Sequence, residues 1–312
     1  MNTKMLLLST AALAVALIPS YAQVKTTRVE SQVYAPAKSG KVLKRKVAIA
    51  RFSNETQYGK GIFYDKENDP MAKQALDILT TRLASTGKFI LLERSDIDKA
   101  ILETGGTEAK RPEVPADYII VGSITQFGRK NVGDVNLVSR AKTQIVEAAV
   151  SLRLVDVSSG KIIYSEEATG AAETKSKTTL GVGGTADFDA TLSDKAISAA
   201  ISQLTENIIN NCMDRPWKAY FLAIDDGVYF VSGGKSQGLS EGDLFTVKEK
   251  GKSVKNPQTG LPMELPGKVV GKIKITLTGG ETVDSEFSTA EFVEGGIDEA
   301  QLSKYYIVEE VK

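Results

Sequence analysis

The sequence predicts an α+β protein: a three-layer-type α/β sandwich core with helices on a mixed sheet, β-hairpin insertions, and a small all-β C-terminal domain. Three observations support this fold class. Residues 46–210 alternate apolar strand patterns with amphipathic helix patterns, which is typical of helices packed on a sheet. Residues 180–192 alternate apolar and polar side chains, as an inserted hairpin does. Residues 217–312 carry short strand patterns separated by glycine turns, which is typical of a small barrel or sandwich.

The amino terminus has the pattern of a secretory signal peptide. Lys4 precedes an apolar run over residues 5–18, and Ser20-Tyr21-Ala22 fits a cleavage site with small flanking residues. The apolar run is shorter than the ~20 residues that a membrane-spanning helix needs. We therefore predict a signal peptide over residues 1–22 and an exported protein. No cysteine lies near the cleavage site, so we expect no lipid anchor there.

We divide the mature chain into a linker over residues 23–45, an α/β domain over residues 46–212, and an all-β domain over residues 217–312. The α/β domain opens with a strand at residues 46–52. Asp69 and Pro70 then predict a helix start, with a carboxylate cap followed by a residue that needs no amide hydrogen.

The later helices and strands are predicted from the same kinds of local sequence signal. Gly87 is expected to end the first helix, and Ser95 to open a second one after a strand at residues 89–92. Residues 118–121 and 149–157 are predicted strands, the latter turning back through residues 158–160 into a hairpin. A third helix is predicted from Ser193 to Asn210.

Composition excludes several classes of function. Acidic and basic residues number 39 each, and removal of Lys4 with the signal leaves a net charge of −1, so we expect no nucleic-acid partner. The chain contains no histidine, which removes the commonest general base and metal ligand. The single cysteine, Cys212, is expected to be a buried small hydrophobe. We therefore predict no enzyme activity, no catalytic residues, no cofactor and no metal.

Three strings identify the α/β domain as similar to a known family. They are Glu93-Arg94 after an apolar strand, residues 121–124 (Val-Gly-Ser-Ile), and residues 152–160 (Leu-Arg-Leu-Val-Asp-Val-Ser-Ser-Gly). In order and approximate spacing they resemble the CsgG-like curli production assembly/transport (CsgG/HfaB) family of bacterial envelopes. The resemblance covers roughly residues 47–210.

The resemblance implies a ring-shaped homo-oligomer in the outer membrane that passes unfolded secreted subunits outward. Each protomer would contribute two β-hairpins to a shared barrel, and a loop after the first strand would narrow the channel. In this chain the candidate constriction residues are Tyr58, Phe63, Tyr64 and Asn68. The alternative is an ordinary surface loop whose aromatic side chains pack on the neighbouring helix.

The two hairpins would lie at residues 127–143 and 165–192. In the second, one face alternates as a lipid-facing strand requires. A turn at Gly183-Gly184 is the alternative, and it would make a small soluble hairpin. The candidate membrane-strand residues are Leu180, Val182, Ala186, Phe188, Ala190 and Leu192.

The C-terminal domain resembles that of flagellar T-ring proteins, through Gly238, Gly242-Asp243 and the turn at residues 256–260. Two functions therefore remain open. The first is an outer-membrane-associated oligomeric channel component that exports curli-like or other unfolded surface subunits. The second is a periplasmic envelope scaffold or binding module without a pore. Both place the protein in the periplasmic space or the outer membrane.

Overall fold

The computed structural model describes residues 41–58, 69–92, 116–135, 139–179, 191–255, 257–258, 260, 262–283 and 285–309. The α/β domain is built on a five-stranded mixed sheet with strand order β2-β1-β3-β4-β5. Strand β1 runs parallel to β2 and β3, whereas β3, β4 and β5 are antiparallel. The predicted mixed sheet with helices is confirmed. Its elements are β1 (Arg45–Asn54), α1 (Pro70–Ser85), β2 (Phe89–Leu92), β3 (Tyr118–Val135), β4 (Ser139–Asp156), β5 (Lys161–Thr179) and α2 (Thr191–Met213).

Helix α1 begins and ends as the local sequence predicts. The Asp69 carboxylate accepts hydrogen bonds from the backbone N–H groups of Met71 and Ala72, at 2.8 and 3.0 Å. Such a cap contributes ~1 kcal/mol to helix stability. Gly87 follows the last turn with φ +65°, a conformation that suits glycine after a helix. The second predicted helix, from Ser95, lies outside the described residues.

Both described α-helices contribute to one apolar core on a single face of the sheet. Helix α1 supplies Leu79 and Leu83, and α2 supplies Ile197, Ile201 and other side chains of its inner stripe. Cys212 is fully buried in the same core, as predicted. The third layer of the predicted sandwich would need a helix on the opposite face, and the described residues place α1 and α2 together on one face.

The start of α2 corrects one predicted residue. Leu192, assigned from the sequence to a membrane strand, is the second residue of α2 and is only 1% exposed. Ala196 lies four residues later on the same helical stripe, so Leu192 continues the buried face of α2 into the core. Leu192 is therefore not part of the predicted membrane strand.

Helix α2 packs directly on the backbone of β5 at Gly170. A Cβ atom on this glycine would lie 2.1 Å from the Ala196 carbonyl oxygen and 2.4 Å from the Ala200 nitrogen. Only the absent side chain of Gly170 permits this separation between helix and strand. The small residues of α2 at this crossing complete a close contact.

Strands β3, β4 and β5 are 18, 18 and 19 residues long and continue past the core as one antiparallel ladder. The hairpin predicted at residues 127–143 is confirmed, since β3 and β4 stay paired out to Val135 opposite Arg140. The predicted turn at residues 158–160 is also present, with Gly160 at φ +66°. Only the first arm of the second predicted hairpin is described, in β5, and residues 180–190 lie outside the described residues.

The C-terminal domain is a closed six-stranded barrel with strand order β11-β12-β7-β6-β13-β8. Its core is a separate apolar cluster around Trp217, Val247 and Ile273. The predicted small all-β domain is therefore a barrel. Its strands are β6 (Lys218–Asp225), β7 (Val228–Ser232), β8 (Leu244–Glu249), β11 (Lys268–Gly279), β12 (Phe287–Gly295) and β13 (Tyr305–Glu309), with a small hairpin of β9 (Ser253–Lys255) and β10 (Pro262–Glu264) outside the barrel.

The linker predicted over residues 23–45 includes residues that are folded, at its carboxyl end. Leu43 is 6% exposed and belongs to the barrel core, and the Lys44 N–H donates to the Gln237 carbonyl at 2.8 Å. A buried leucine and a backbone hydrogen bond hold this segment against the barrel. Residues 41–44 are thus part of the folded C-terminal domain, although they precede β1.

Candidate functional site

Of the four candidate constriction residues, Tyr58 alone lies among the described residues. Its ring contacts the Phe127 ring with centroids 4.6 Å apart, and the Arg129 guanidinium lies 4.7 Å from its centroid. The sequence alternative placed such aromatics on the neighbouring helix, whereas Tyr58 packs on strand β3. Phe63, Tyr64 and Asn68 lie outside the described residues, as do Leu180, Val182, Ala186, Phe188 and Ala190 of the predicted membrane strand.

The extended ladder forms a distinct feature that we call the β-arm: residues 127–135, 139–147 and 167–179. Its two faces differ in what covers them. On one face Arg129 donates to the Ser193 hydroxyl of α2 at 2.8 Å, and Val146, opposite Arg129 in the ladder, is fully buried. We call this the helix face. The opposite face carries exposed side chains and is called the open face.

The open face of the β-arm is polar. Ile145 lies between Lys130 and Glu173 in the ladder, and Thr143 lies beside Lys175 in the next row. Lys175 and Glu173 form an ion pair at 3.2 Å, with both side chains largely exposed. An exposed pair of this kind contributes at most ~1 kcal/mol to stability. The arrangement is therefore a solvated, mixed-charge surface.

The helix face also becomes polar beyond the first turn of α2, where the helix no longer covers it. Past Arg129, the next side chains on this face include Asn131 and Lys142, both exposed, and Gln144, which is buried. Strand β3 continues beyond Arg129 only to Val135, and residues 136–138 connect it to β4. A strand that crosses a bilayer needs ~9–11 residues of its own. The described β-arm past α2 is shorter than this and carries charge on both faces.

A buried arginine joins the two domains at the opposite end of the sheet. Arg45, at the start of β1, donates to the carbonyl oxygens of Leu43 at 2.7 Å and Arg215 at 2.8 Å. Its guanidinium also pairs with the Glu309 carboxylate at 2.7 Å. The same carboxylate accepts a hydrogen bond from the backbone N–H of Trp217 at 2.6 Å. The first strand of the core and the last strand of the barrel are thus held by one network.

A cavity of about 430 Å³ lies beside this network, between the core and the barrel. The core side contributes Asp117 and Tyr118, and the barrel side contributes Trp217, Tyr220 and Leu222. Cavities of this size between domains, mostly apolar and with a few polar groups, are typical of binding sites. The sequence analysis did not predict this cavity.

Burial and hydrogen bonding shift the pKa values of the acidic groups around the cavity. Burial raises the pKa of Asp117 despite the hydrogen bond that its carboxylate accepts from the Lys46 N–H at 2.7 Å. Burial acts in the same direction on Asp156, but hydrogen bonds from Ser158 and Ser159, with Arg215 nearby, lower the pKa of Asp156 overall. Asp117 is therefore the more easily protonated carboxyl of the two.

Comparison with known proteins identifies the family of the α/β domain. The family model described as curli production assembly/transport component CsgG matches residues 30–241, more than half of the chain. The chain belongs to the CsgG family. A protein of Neisseria meningitidis serogroup B, named as a putative lipoprotein, is 33% identical over 175 residues, covering 55% of this chain and 78% of that protein. The predicted family is confirmed, and an envelope location fits both findings.

Solved structures with a loose likeness to this CsgG-family chain include a lipoprotein and a protein that forms a dodecamer. The lipoprotein GNA1162 from Neisseria meningitidis is 14% identical, with a TM-score of 0.28, over 55% of this chain and 99% of that one. A PelC dodecamer from Paraburkholderia phytofirmans is 15% identical, with a TM-score of 0.24, over 54% of this chain and 92% of that one.

Within the described ranges, no group of three or more acidic, cysteine or histidine residues is placed to hold a metal ion. No helix in the described part of the chain is both long and apolar enough to cross a membrane.

The CsgG-family core was predictable from local motifs, whereas the junction between domains was not. Its groups come from distant parts of the chain: Arg45, Asp117, Arg215, Trp217 and Glu309. The one available signal was Arg215-Pro216-Trp217, a charged and aromatic string placed where the sequence predicted a boundary between domains.

Proposed function

We propose that this CsgG-family protein is an envelope-associated assembly module that binds partner proteins and does not form a membrane pore of its own. It corresponds to the scaffold alternative of the sequence analysis. The observation that carries the proposal is the β-arm, which has charged residues on both faces. We further propose that the protein is not an enzyme.

The energetics of the β-arm support this proposal. A strand in a membrane pore presents one face to lipid, and that face must be apolar across the bilayer. The open face would place Lys130 in lipid, and the helix face would place Lys142 there. Each lysine near the bilayer midplane costs ~2–4 kcal/mol. In water the same side chains cost nothing, so the β-arm suits an aqueous compartment.

Family membership supports the second part of the proposal, a role in assembly. We propose that the chain forms a homo-oligomeric ring, and that unfolded secreted subunits are among the partners of that ring. The open face of the β-arm, with its solvated mixed charges, is the surface we assign to these contacts. The barrel would stay outside the membrane with the α/β core.

A channel remains the second candidate, because the CsgG family model is described as an assembly and transport component. Under this interpretation the β-arm enters the outer membrane, and Tyr58 lies near the pore. The Tyr58 ring is instead engaged by Phe127 and Arg129 within the same chain. This contact favours a packed surface loop over a free constriction residue.

Thiol labelling distinguishes the two candidates directly. Ile145→Cys places a thiol on the open face and Lys142→Cys places one on the helix face. Ala223→Cys, on an exposed position of β6, is the matched control. Native Cys212 is buried with a raised pKa and does not interfere. Each variant is treated in isolated envelopes with a membrane-impermeant maleimide.

We expect both β-arm thiols to react within about threefold of the Ala223→Cys control, because both faces lie in water. A partner bound to the open face would also protect Ile145→Cys in envelopes, so the decisive sample is the purified protein in lipid vesicles. Protection of either thiol there that is lost in detergent places that face in lipid. Such a result would establish the channel and overturn the proposal.

A further inference from the structure

One outer face of the barrel carries a row of aromatic and aliphatic side chains. On β6, Tyr220 and Leu222 alternate with residues of the barrel core, so they point outward, and they remain 42% and 56% exposed. Tyr306 of β13 lies opposite Tyr220 in the ladder, and Lys248 of β8 lies opposite Tyr306. Val269 of β11 follows beside Lys248 and is 63% exposed. Large apolar side chains that are exposed together mark a surface of contact.

Lysines surround this row. The Lys250 ammonium lies 5.7 Å from the centroid of the Tyr220 ring, and the Lys218 ammonium lies 5.6 Å from that of the Tyr306 ring. Lys304 is next to Lys250, since the Lys250 N–H donates to the Lys304 carbonyl oxygen at 2.7 Å. With Lys248 in the row itself, four lysines lie on this surface. We call the surface formed by the four lysines and the four apolar side chains the basic face.

The positive charge of the basic face is not neutralised within the described part of the chain, where none of its four lysines forms an ion pair. The acidic residues of the same strands lie off this face. Glu249 of β8 is opposite Tyr305 of the barrel core, and Glu309 of β13 pairs with the buried arginine of the domain junction. Asp225 ends β6, beyond Leu222. Acidic and basic residues number 39 each in the whole chain, so this cationic surface is a local segregation of charge.

The side chains of the basic face suit a phospholipid surface better than a glycan or an acidic protein. Sugar hydroxyls need carboxylate or amide acceptors, and the basic face has no Asp, Glu, Asn or Gln. Fixed carboxylates are best paired by the planar fork of arginine, whereas lysine is a flexible point charge. Tyrosine and lysine have an apolar body and a polar tip, which suits the boundary between lipid and water. Exposed Leu222 and Val269 add apolar contact at the same depth.

We propose that the basic face holds the barrel on the surface of a bilayer that contains anionic phospholipid. The four ammonium groups contact lipid phosphates, and the tyrosine rings lie at headgroup level together with Leu222 and Val269. The barrel lies on the membrane in this arrangement and does not cross it. The β-arm contributes no residue to the basic face, so this proposal can fail without the proposed function failing.

Vesicle sedimentation of residues 23–312 tests the contact. One set of vesicles is phosphatidylcholine alone, and the other contains about one-third phosphatidylglycerol. We expect the anionic vesicles to bind the protein at least about tenfold more tightly, because each lysine near an anionic surface contributes roughly fivefold in affinity. Added salt should weaken this binding, because it screens exposed charges. Equal binding to the two sets of vesicles, or binding to neither, would overturn the proposal.

Two matched pairs of substitutions locate the contact. Lys248→Gln with Lys250→Gln removes two charges from the basic face, and Lys73→Gln with Lys161→Gln removes two exposed charges from the α/β domain. We expect the first pair to weaken binding to anionic vesicles roughly 25-fold and the second pair to change it less than about twofold. Equal losses in the two pairs would show that net charge alone drives binding and would refute the site. Unchanged circular dichroism shows that both variants are folded.

Two other results would assign the membrane contact or the basic face differently. Vesicle binding that survives both high salt and the loss of Lys248 and Lys250 would place the contact on another surface, such as the β-arm, and would overturn the proposal. Binding to polygalacturonate without binding to either set of vesicles would assign the basic face to an acidic glycan and overturn it as well. Ala223 follows Leu222 at the edge of this face. The vesicles for thiol labelling are therefore phosphatidylcholine alone, to which the basic face should not bind.

Discussion

The contact between helix α2 and strand β5 gives the sharpest quantitative prediction. Gly170→Ala would place a Cβ atom 2.1 Å from the Ala196 carbonyl oxygen and 2.4 Å from the Ala200 nitrogen. Both atoms belong to the helix backbone, so no side-chain rotation relieves the overlap. Restoring an ordinary contact of ~3.5 Å to the Ala196 carbonyl oxygen requires α2 to move away from β5 by roughly 1.4 Å.

The cost of that displacement follows from what α2 buries. The helix contributes Leu192, Ile197, Ile201 and Leu204 to the core, among other fully buried side chains, and each loses contacts when the helix shifts. Overpacking typically costs 1–3 kcal/mol, and a strand glycine replaced by alanine otherwise gains ~0.5–1 kcal/mol. We therefore expect Gly170→Ala to lower the free energy of unfolding by about 1 kcal/mol.

Urea unfolding followed by circular dichroism measures this change, because both described α-helices belong to the α/β domain. Gly128→Ala on β3 is the matched control: it is also a strand glycine, and a Cβ there meets nothing within 4 Å. We expect the control to be neutral or slightly stabilising. If the two variants differ by less than about 0.5 kcal/mol, α2 does not rest on the Gly170 backbone and the argument fails.

Three further predictions concern the junction and the core. Glu309→Gln removes the charge that pairs with buried Arg45, and we expect it to lower the free energy of unfolding by about 1–3 kcal/mol. The measurement is the urea midpoint of Trp217 emission, which should fall. An unchanged midpoint would show that the pair contributes nothing to stability. Burial raises the pKa of Cys212 to about 12, so a thiol reagent at pH 8 should label the native protein only as fast as it unfolds, and complete labelling within seconds would contradict the buried position. Burial also raises the pKa of Tyr118 to about 12, so the stability that these two neutral groups contribute is fully present below their unfolded pKa values of about 8.5 and 10 and is lost as pH rises toward 12. Urea midpoints measured between pH 8 and 11 should therefore fall, with Cys212→Ala falling less steeply; parallel curves for the two proteins would refute the assignment to Cys212.

The parts of the fold that were predictable depend on neighbouring residues in the chain. The Asp69 carboxylate caps α1 through hydrogen bonds that span two and three residues, and Pro70 occupies the first helical position, so the local sequence is sufficient. The same holds for the turn at Gly160 and for the buried stripe of α2, which includes Cys212. The family strings are local as well, and their order along the chain was enough to identify the CsgG family.

The parts that were missed depend on distant contacts. Leu192 fits a strand alternation and a helical stripe equally well, and only the core under α2 decides between them. Leu43 precedes β1 by two residues, yet its place is set by the barrel, where it packs far from its sequence neighbours. The cavity is lined by Asp117 from the α/β domain and Trp217 from the barrel. The periodicity of apolar residues along a chain does not predict which residues of two domains lie next to each other.

Alkaline carbonate extraction of the outer-membrane fraction tests the central claim most directly. An assembly module whose β-arm stays in water should be released into the supernatant, while a porin of the same membrane stays in the pellet as the control. Retention of the protein in the pellet until detergent is added, together with the porin, would contradict the account and establish that its strands cross the membrane.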